Sequence, residues 1–166
     1  MFKLIESPQN EKSIVAVFKA PLHIAKGIRQ GSAISGKALV SDLRKSMKET
    51  KSGKTYRVYK GIGGKKLKRS RLHIASSSSQ TPAIITGNFR KSIDFKVLGS
   101  SRLEFGSGSR GFAKDYARVL ELGSSKMAAR KPLGRTVEKF GNQVAHNISK
   151  QINKGLKSLG FKIRKT

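Results

Sequence analysis

The stretch YARVLELGSSKMAARKPL, Tyr116 to Leu133, decides how the rest of the chain is read, because it feeds into the longest amphipathic pattern present. Tyr116, Val119, Leu120 and Leu122 form a short apolar run that stops at Gly123. Small and polar residues follow, then Met127 to Lys131, with Pro132 where a first helical residue sits and loses no hydrogen bond it could have made. From there Leu133, Val137, Phe140, Val144, Ile148, Ile152, Leu156 and Leu159 recur every three or four residues, which lays one apolar stripe along a helix. Such a helix of about 27 residues runs roughly 40 Å at 1.5 Å per residue. A stripe longer than the small sheet it covers continues onto another subunit, so self-association is expected, with Phe140, Val144, Ile148, Ile152 and Leu156 at the interface.

With 166 residues the chain suits a single domain spanning 1–166, able to bury about 70% of the surface its unfolded form exposes. No run approaches the roughly 18 to 20 apolar residues of a membrane helix, and MFKLIESPQNEKS lacks the apolar core of a signal peptide, so a cytosolic product without a membrane partner is expected. The absence of cysteine removes disulfides and thiolate metal sites.

Charge is the strongest compositional fact: 36 Lys and Arg against 9 Asp and Glu, formally +27. Such a surface attracts polyanions, be they nucleic acid, acidic protein or anionic lipid. From Arg44 to Arg71, twelve basic residues stand against Glu49 alone, with Tyr56 and Tyr59 interleaved. That cluster is either a solvated face or a phosphate-contacting one. Lys54, Arg57, Lys60, Lys65, Lys66, Lys68, Arg69 and Arg71 are the candidate contacts. A second basic region follows Glu138 and ends in the tail GFKIRKT, residues 160–166.

Taken in order, SIVAVF (Ser13 to Phe18) is β-branched and apolar, which predicts a first strand ended by Pro21. Leu22 to about Met47 favours a helix, loosened by Gly27, Gly31 and Gly36. TYRVY from Thr55 and RLHIA from Arg71 to Ala75 read as a basic hairpin over 54–75, with its tip at Gly61 to Lys66. Serine-rich 76–81 reads as a loop, and TGNFRKSI (Thr86 to Ile93) as a short helical turn with Thr86 as N-cap candidate. DFKVLG and RLEFGS, separated by Gly99 to Ser101, make a second hairpin. Strands arriving in neighbouring pairs argue for an α+β fold: an antiparallel sheet of four to five strands packed with an N-terminal helix and a long C-terminal helix.

Chemistry finds little support. Gly106, Gly108 and Gly111 spell GxGxxG after a predicted strand, yet the pattern arises cheaply in a Ser- and Gly-rich run, no strong helix is expected at Gly111, and no acid lies about twenty positions on. His23, His73 and His146 stand singly, without the spacing of metal ligands. Glu121 and Glu138 suit salt bridges to nearby arginines better than catalysis, and no serine sits in a GxSxG elbow. The expectation is a non-enzyme without metal or cofactor.

The ordered set HIAS (His73 to Ser76), Pro82 and Ala83, TGNFRKSI, YARVLELG (Tyr116 to Gly123) and MAARKPL (Met127 to Leu133), ahead of a long final helix, resembles a family of small neck or tail-completion (minor tail) proteins of long-tailed, lambda-like bacteriophages. The resemblance spans about 73 to 133. Lys131 between Arg130 and Pro132, Phe89 in place of a usual leucine, and the serine run depart from the family pattern. The resemblance implies a non-enzymatic virion part, assembled in the host cytoplasm as a ring, sixfold or a multiple, at the head–tail junction or the top of the tail. Head-closure or adaptor proteins, tail-tube or terminator proteins and the duplex DNA passing through would be its partners. It further implies that Gly87 and Gly123 are backbone requirements and that Arg90 and Arg130 anchor loops or neighbours through carboxylates such as Glu121, which would place Arg130 and Glu121 at the subunit interface. Two readings compete: a free nucleic-acid-binding protein, which explains +27 without a ring, and a toxin-like nuclease dependent on Mg²⁺.

Overall fold

A computed structural model describes residues 8–60, 66–77, 80–84, 87–100, 102–108, 111–125 and 127–163. Among them the order is α1 (Pro8–Ser46), β1 (Thr55–Lys60), β2 (Lys66–Ile74), α2 (Asn88–Ser92), β3 (Ile93–Leu98), β4 (Arg102–Ser107), α3 (Gly111–Leu122) and α4 (Pro132–Lys157). The fold class is α+β with a long helix near each end, as expected. The four strands form two separate antiparallel pairs, β1 with β2 and β3 with β4, instead of one sheet of four to five.

The missing strand is the one expected at Ser13 to Phe18, which is helical, and Pro21 lies inside α1 instead of ending it. β-branched residues cost a helix only a few tenths of a kcal/mol each, and Ala16, Ala20 and Ala25 recover much of that. Proline forfeits one hydrogen bond and crowds the carbonyl four residues back, that of Val17. Pro21 and Val17 are both exposed, so water can serve that carbonyl.

The residues group into two compact units: Met1–Ser35, Val97–Leu103 and Asn142–Thr166 in the first, Gly36–Lys96 and Glu104–Gly141 in the second. In the first, α1 and α4 pack antiparallel through small residues. A Cβ built on Gly31 would lie 2.5 Å from the Ile148 Cα, and one on Gly27 2.8 Å from the Ile152 Cα. One turn beyond Gly31, Ser35 Oγ accepts from Asn147 Nδ2, next to Ile148, at 3.2 Å. Two of the three glycines expected to loosen α1, Gly27 and Gly31, are therefore positions where α4 comes close, and the third, Gly36, sits against the Phe95 ring. Gly31→Ala gains about 1 kcal/mol of helix propensity but overpacks a backbone contact, for a net loss on the order of 1–2 kcal/mol. Gly141→Ala, with nothing within 4 Å of its Cβ position, should instead gain up to about 1 kcal/mol. Thermal melts of the two variants check this opposition of sign.

The second unit holds the core. Val40 and Leu43 of α1 and Met47 just beyond its end, spaced by three and four, meet Phe89 of α2, Ile93 of β3, and Ala117 and Leu120 of α3. Leu43, Ile93 and Leu120 are completely buried. Arg44, counted by sequence within the basic cluster, is turned inward: its guanidinium donates to the carbonyls of Arg90 and Ile93 at 3.2 and 2.7 Å, serving the end of α2. Lys51 is likewise used internally, donating to Ser46 O and Thr81 Oγ1, and burial pulls its amine below the ordinary lysine range against the opposing pull of Glu49. Lys139 and Asp42 pair at 2.8 Å on the surface.

Candidate nucleic-acid interface and the motif core

The β1–β2 hairpin follows the alternation in its sequence. Tyr56 pairs with His73 and Val58 with Arg71, while Thr55 pairs with Ile74 and Arg57 with Leu72, and a bulge between Val58 and Lys60 shifts the register. Tyr56 meets the His73 ring edge-on at 5.1 Å. Arg57, Tyr59 and Leu72 are exposed, as is Lys54 just before the hairpin. Of the eight candidate polyanion contacts, Lys54 and Arg57 are therefore presented to solvent. Lys60 closes β1, and Lys66, Lys68, Arg69 and Arg71 lie along β2, which begins earlier than the expected Arg71. Their side chains fall outside the described part, as do Lys65 with the rest of the expected tip, the N-cap candidate Thr86 and the last residues of the basic tail.

The segments that carry the phage-protein resemblance meet in the second unit. Tyr116 stands edge-on to Phe89 at 5.7 Å, and Ile84, Tyr116, Met127 and Leu133 pack around the buried cluster. Burial raises the Tyr116 phenol above its ordinary value, with Arg130 opposing and Tyr56 adding to the shift. Ser76, buried, accepts from the Arg130 guanidinium and from Ala83 N, so the end of HIAS, Ala83 and the Arg130 segment are tied at one hydroxyl. Arg130 therefore anchors a loop, but through Ser76 and not through Glu121. The Nε atoms of Arg90 and Arg130 and Nε2 of His73 are buried without hydrogen-bond partners.

Glu121 has a different role from the salt bridge expected of it. α4 opens with Pro132, and the residue before it, Lys131 at φ 46°, has no side-chain acceptor to cap the exposed N–H groups. Glu121 reaches over from α3 instead: its Oε1 accepts from Leu133 N at 2.5 Å and its Oε2 from Gly134 N at 3.4 Å. A carboxylate also suits the positive end of the helix dipole. Glu121→Ala should cost about 1–2 kcal/mol by urea denaturation, and Glu121→Gln, which keeps an acceptor oxygen, distinctly less.

Gly87 and Gly123 both take left-handed backbone angles, φ 78° and 81°, as the resemblance implied for them. Gly123 ends α3, and a Cβ there would lie 2.9 Å from Ala129 N.

Two further expectations change. A helix does begin at Gly111, so the Gly106–Gly108–Gly111 run has a strand before it and a helix after it. Its surroundings still differ from a dinucleotide site, because β4 belongs to an antiparallel hairpin and α3 leads into the tight bridge between Ser124 and Met127, not into a parallel strand. The α4 stripe expected at a subunit interface has a partner in its own chain at Ile148 and Ile152, where α1 approaches, and Phe140, Val144, Ile148, Ile152 and Leu156 are all half-buried. Among the described residues no three His, Asp or Glu are placed to hold a metal ion, and no helix is long and apolar enough to cross a membrane. Comparison with protein-family models, curated proteins and solved structures returns no match for this chain.

Proposed function

We propose that the chain is a structural virion protein of a long-tailed phage, forming a ring at the head–tail junction or at the top of the tail around the DNA channel. The observation that carries this reading is the convergence of the motif segments. The Phe89 turn, YARVLELG and MAARKPL pack on one core, HIAS is tied to it by the Arg130 to Ser76 bond, and Glu121 holds the start of α4, although these segments are dispersed over 61 positions of sequence. An ordered set of short motifs is worth more as a resemblance when its members pack on one another than when they lie on unrelated surfaces.

The charge supports the same reading. A net +27, with Lys54 and Arg57 exposed beside the hairpin, suits a surface next to duplex DNA or an acidic portal or adaptor. Electron microscopy of virions labelled on this protein tests the placement. Label at the neck or tail top is the expected result, and virions free of the protein would remove the proposal. The competing reading, a free nucleic-acid-binding protein, rests on the charge alone and expects no incorporation into particles.

A further inference from the structure

α4 has two sides of different chemistry. The side carrying Ile148 and Ile152 meets α1 at Gly31 and Gly27. Successive helical residues turn by about 100°, which gathers Gln143, His146, Lys150, Asn153, Lys154 and Lys157 into an arc of about 100° roughly opposite that contact. All six are exposed, and the arc runs about 21 Å along the axis at 1.5 Å per residue. Each of these side chains can donate a hydrogen bond, and none is acidic.

A solvated helix face ordinarily mixes charges, because an acid and a base four apart support the helix while like charges four apart oppose it. Here Lys150 and Lys154 are four apart, Lys154 and Lys157 three apart, and no acid follows Glu138 in the sequence. The helix dipole accounts for Lys154 and Lys157, which lie in the last turn, but not for Lys150 or for His146 and Gln143 further back. Among the described residues none of the six pairs with an acid. The face therefore carries a repulsion that an external anion relieves.

We infer that this outward face of α4 lies along the phosphate backbone of duplex DNA, as a contact surface in addition to the β1–β2 hairpin. Duplex DNA carries one negative charge per about 1.7 Å of its axis, so a lysine row of this length meets an unbroken line of acceptors, and each neutralised phosphate releases a counterion. The two amides and His146 add hydrogen bonds to phosphate oxygens, which fix register but read no sequence. The arc holds no Phe, Tyr or Trp on which the bases of a single strand could stack, and no apolar side chain to enter a lipid surface. The inference rests on the DNA-channel part of the proposed function and names a face that the duplex passes.

The test measures binding of the full chain to a labelled duplex by fluorescence anisotropy over a salt series, with circular dichroism to confirm folding. Lys150→Gln with Lys154→Gln and Lys157→Gln removes three cations from exposed positions and keeps good helix formers. This α4 triple is expected to bind roughly tenfold or more weakly at low salt, with a slope of log affinity against log salt shallower by about 3, at about 0.9 per contact. The control Lys12→Gln with Lys19→Gln and Lys26→Gln removes the same charge from exposed sites of α1 and should leave the slope within about 1 of the parental value. Equal changes in the two triples would reduce the effect to net charge and overturn the inference. So would a parental slope in the α4 triple; loss of binding to phosphatidylserine vesicles in that case would assign the face to lipid. Either result leaves the ring reading standing. A shallower slope in the α4 triple alone, together with virions free of the protein, keeps the face and removes the ring.

Discussion

Replacing Lys54, Arg57, Lys60, Lys65, Lys66, Lys68, Arg69 and Arg71 together by glutamine is expected to remove most of the affinity of the chain for duplex DNA. A protein that neutralises six to ten phosphates loses about 10³ to 10⁵ in affinity between 50 and 200 mM salt, because each contact releases a condensed counterion. Eight contacts would give a slope of log affinity against log salt near −7, at about 0.9 per contact. The glutamine variant should be nearly salt-independent apart from what Arg164, Lys165 and other basic positions supply. Fluorescence anisotropy over a salt series reads both quantities. A variant with the parental slope would show that the hairpin face is merely solvated. The core and the α4 cap lie outside the hairpin strands, so the melting temperature should change little.

Leu43→Ala is the substitution expected to destabilise most. Leu43 is fully buried among Val40, Met47, Phe89, Ile93, Ala117 and Leu120, so truncation loses transfer free energy and leaves a cavity, about 2–5 kcal/mol in all. In a chain of this size each kcal/mol lowers the melting temperature by about 2–4 °C, so a fall on the order of 10 °C is expected. The matched control is Leu122→Ala, at an exposed site, which should stay within about 0.5 kcal/mol. Equal losses at the two sites would mean that the core is not where these contacts put it.

The long C-terminal helix was legible because its stripe is regular over seven intervals and Pro132 marks its start. Both hairpins were legible from alternation and from turn residues at Gly99 and Ser100. Ser13 to Phe18 misled because β-branched apolar runs suit strand and helix alike; the signal that decides, Ile14, Phe18 and Leu22 at intervals of four, extends across Pro21 and is lost once proline is taken as a stop. α3 was missed as a helix because its glycine at position 111 and the Gly-rich run before it hide the start, although Tyr116, Val119 and Leu120 already carry the helical spacing. The roles of Glu121 and Arg130 could not be read in advance. Both depend on which partners the fold brings within reach: the N–H groups of α4, which Lys131 cannot cap, and a Ser76 hydroxyl 54 positions from Arg130. Charge counting likewise overstated the basic face, since Arg44 and Lys51 bind carbonyls within the chain.

Deletion of the coding sequence for this chain from the phage that the proposed function assigns to it, followed by negative-stain imaging of the particles, separates a neck part from a free nucleic-acid-binding protein. Loss of a neck part should leave DNA-filled heads and separate tails that fail to join, with joining restored when the protein is supplied in trans. Intact tailed particles in normal yield from the deletion would contradict that role.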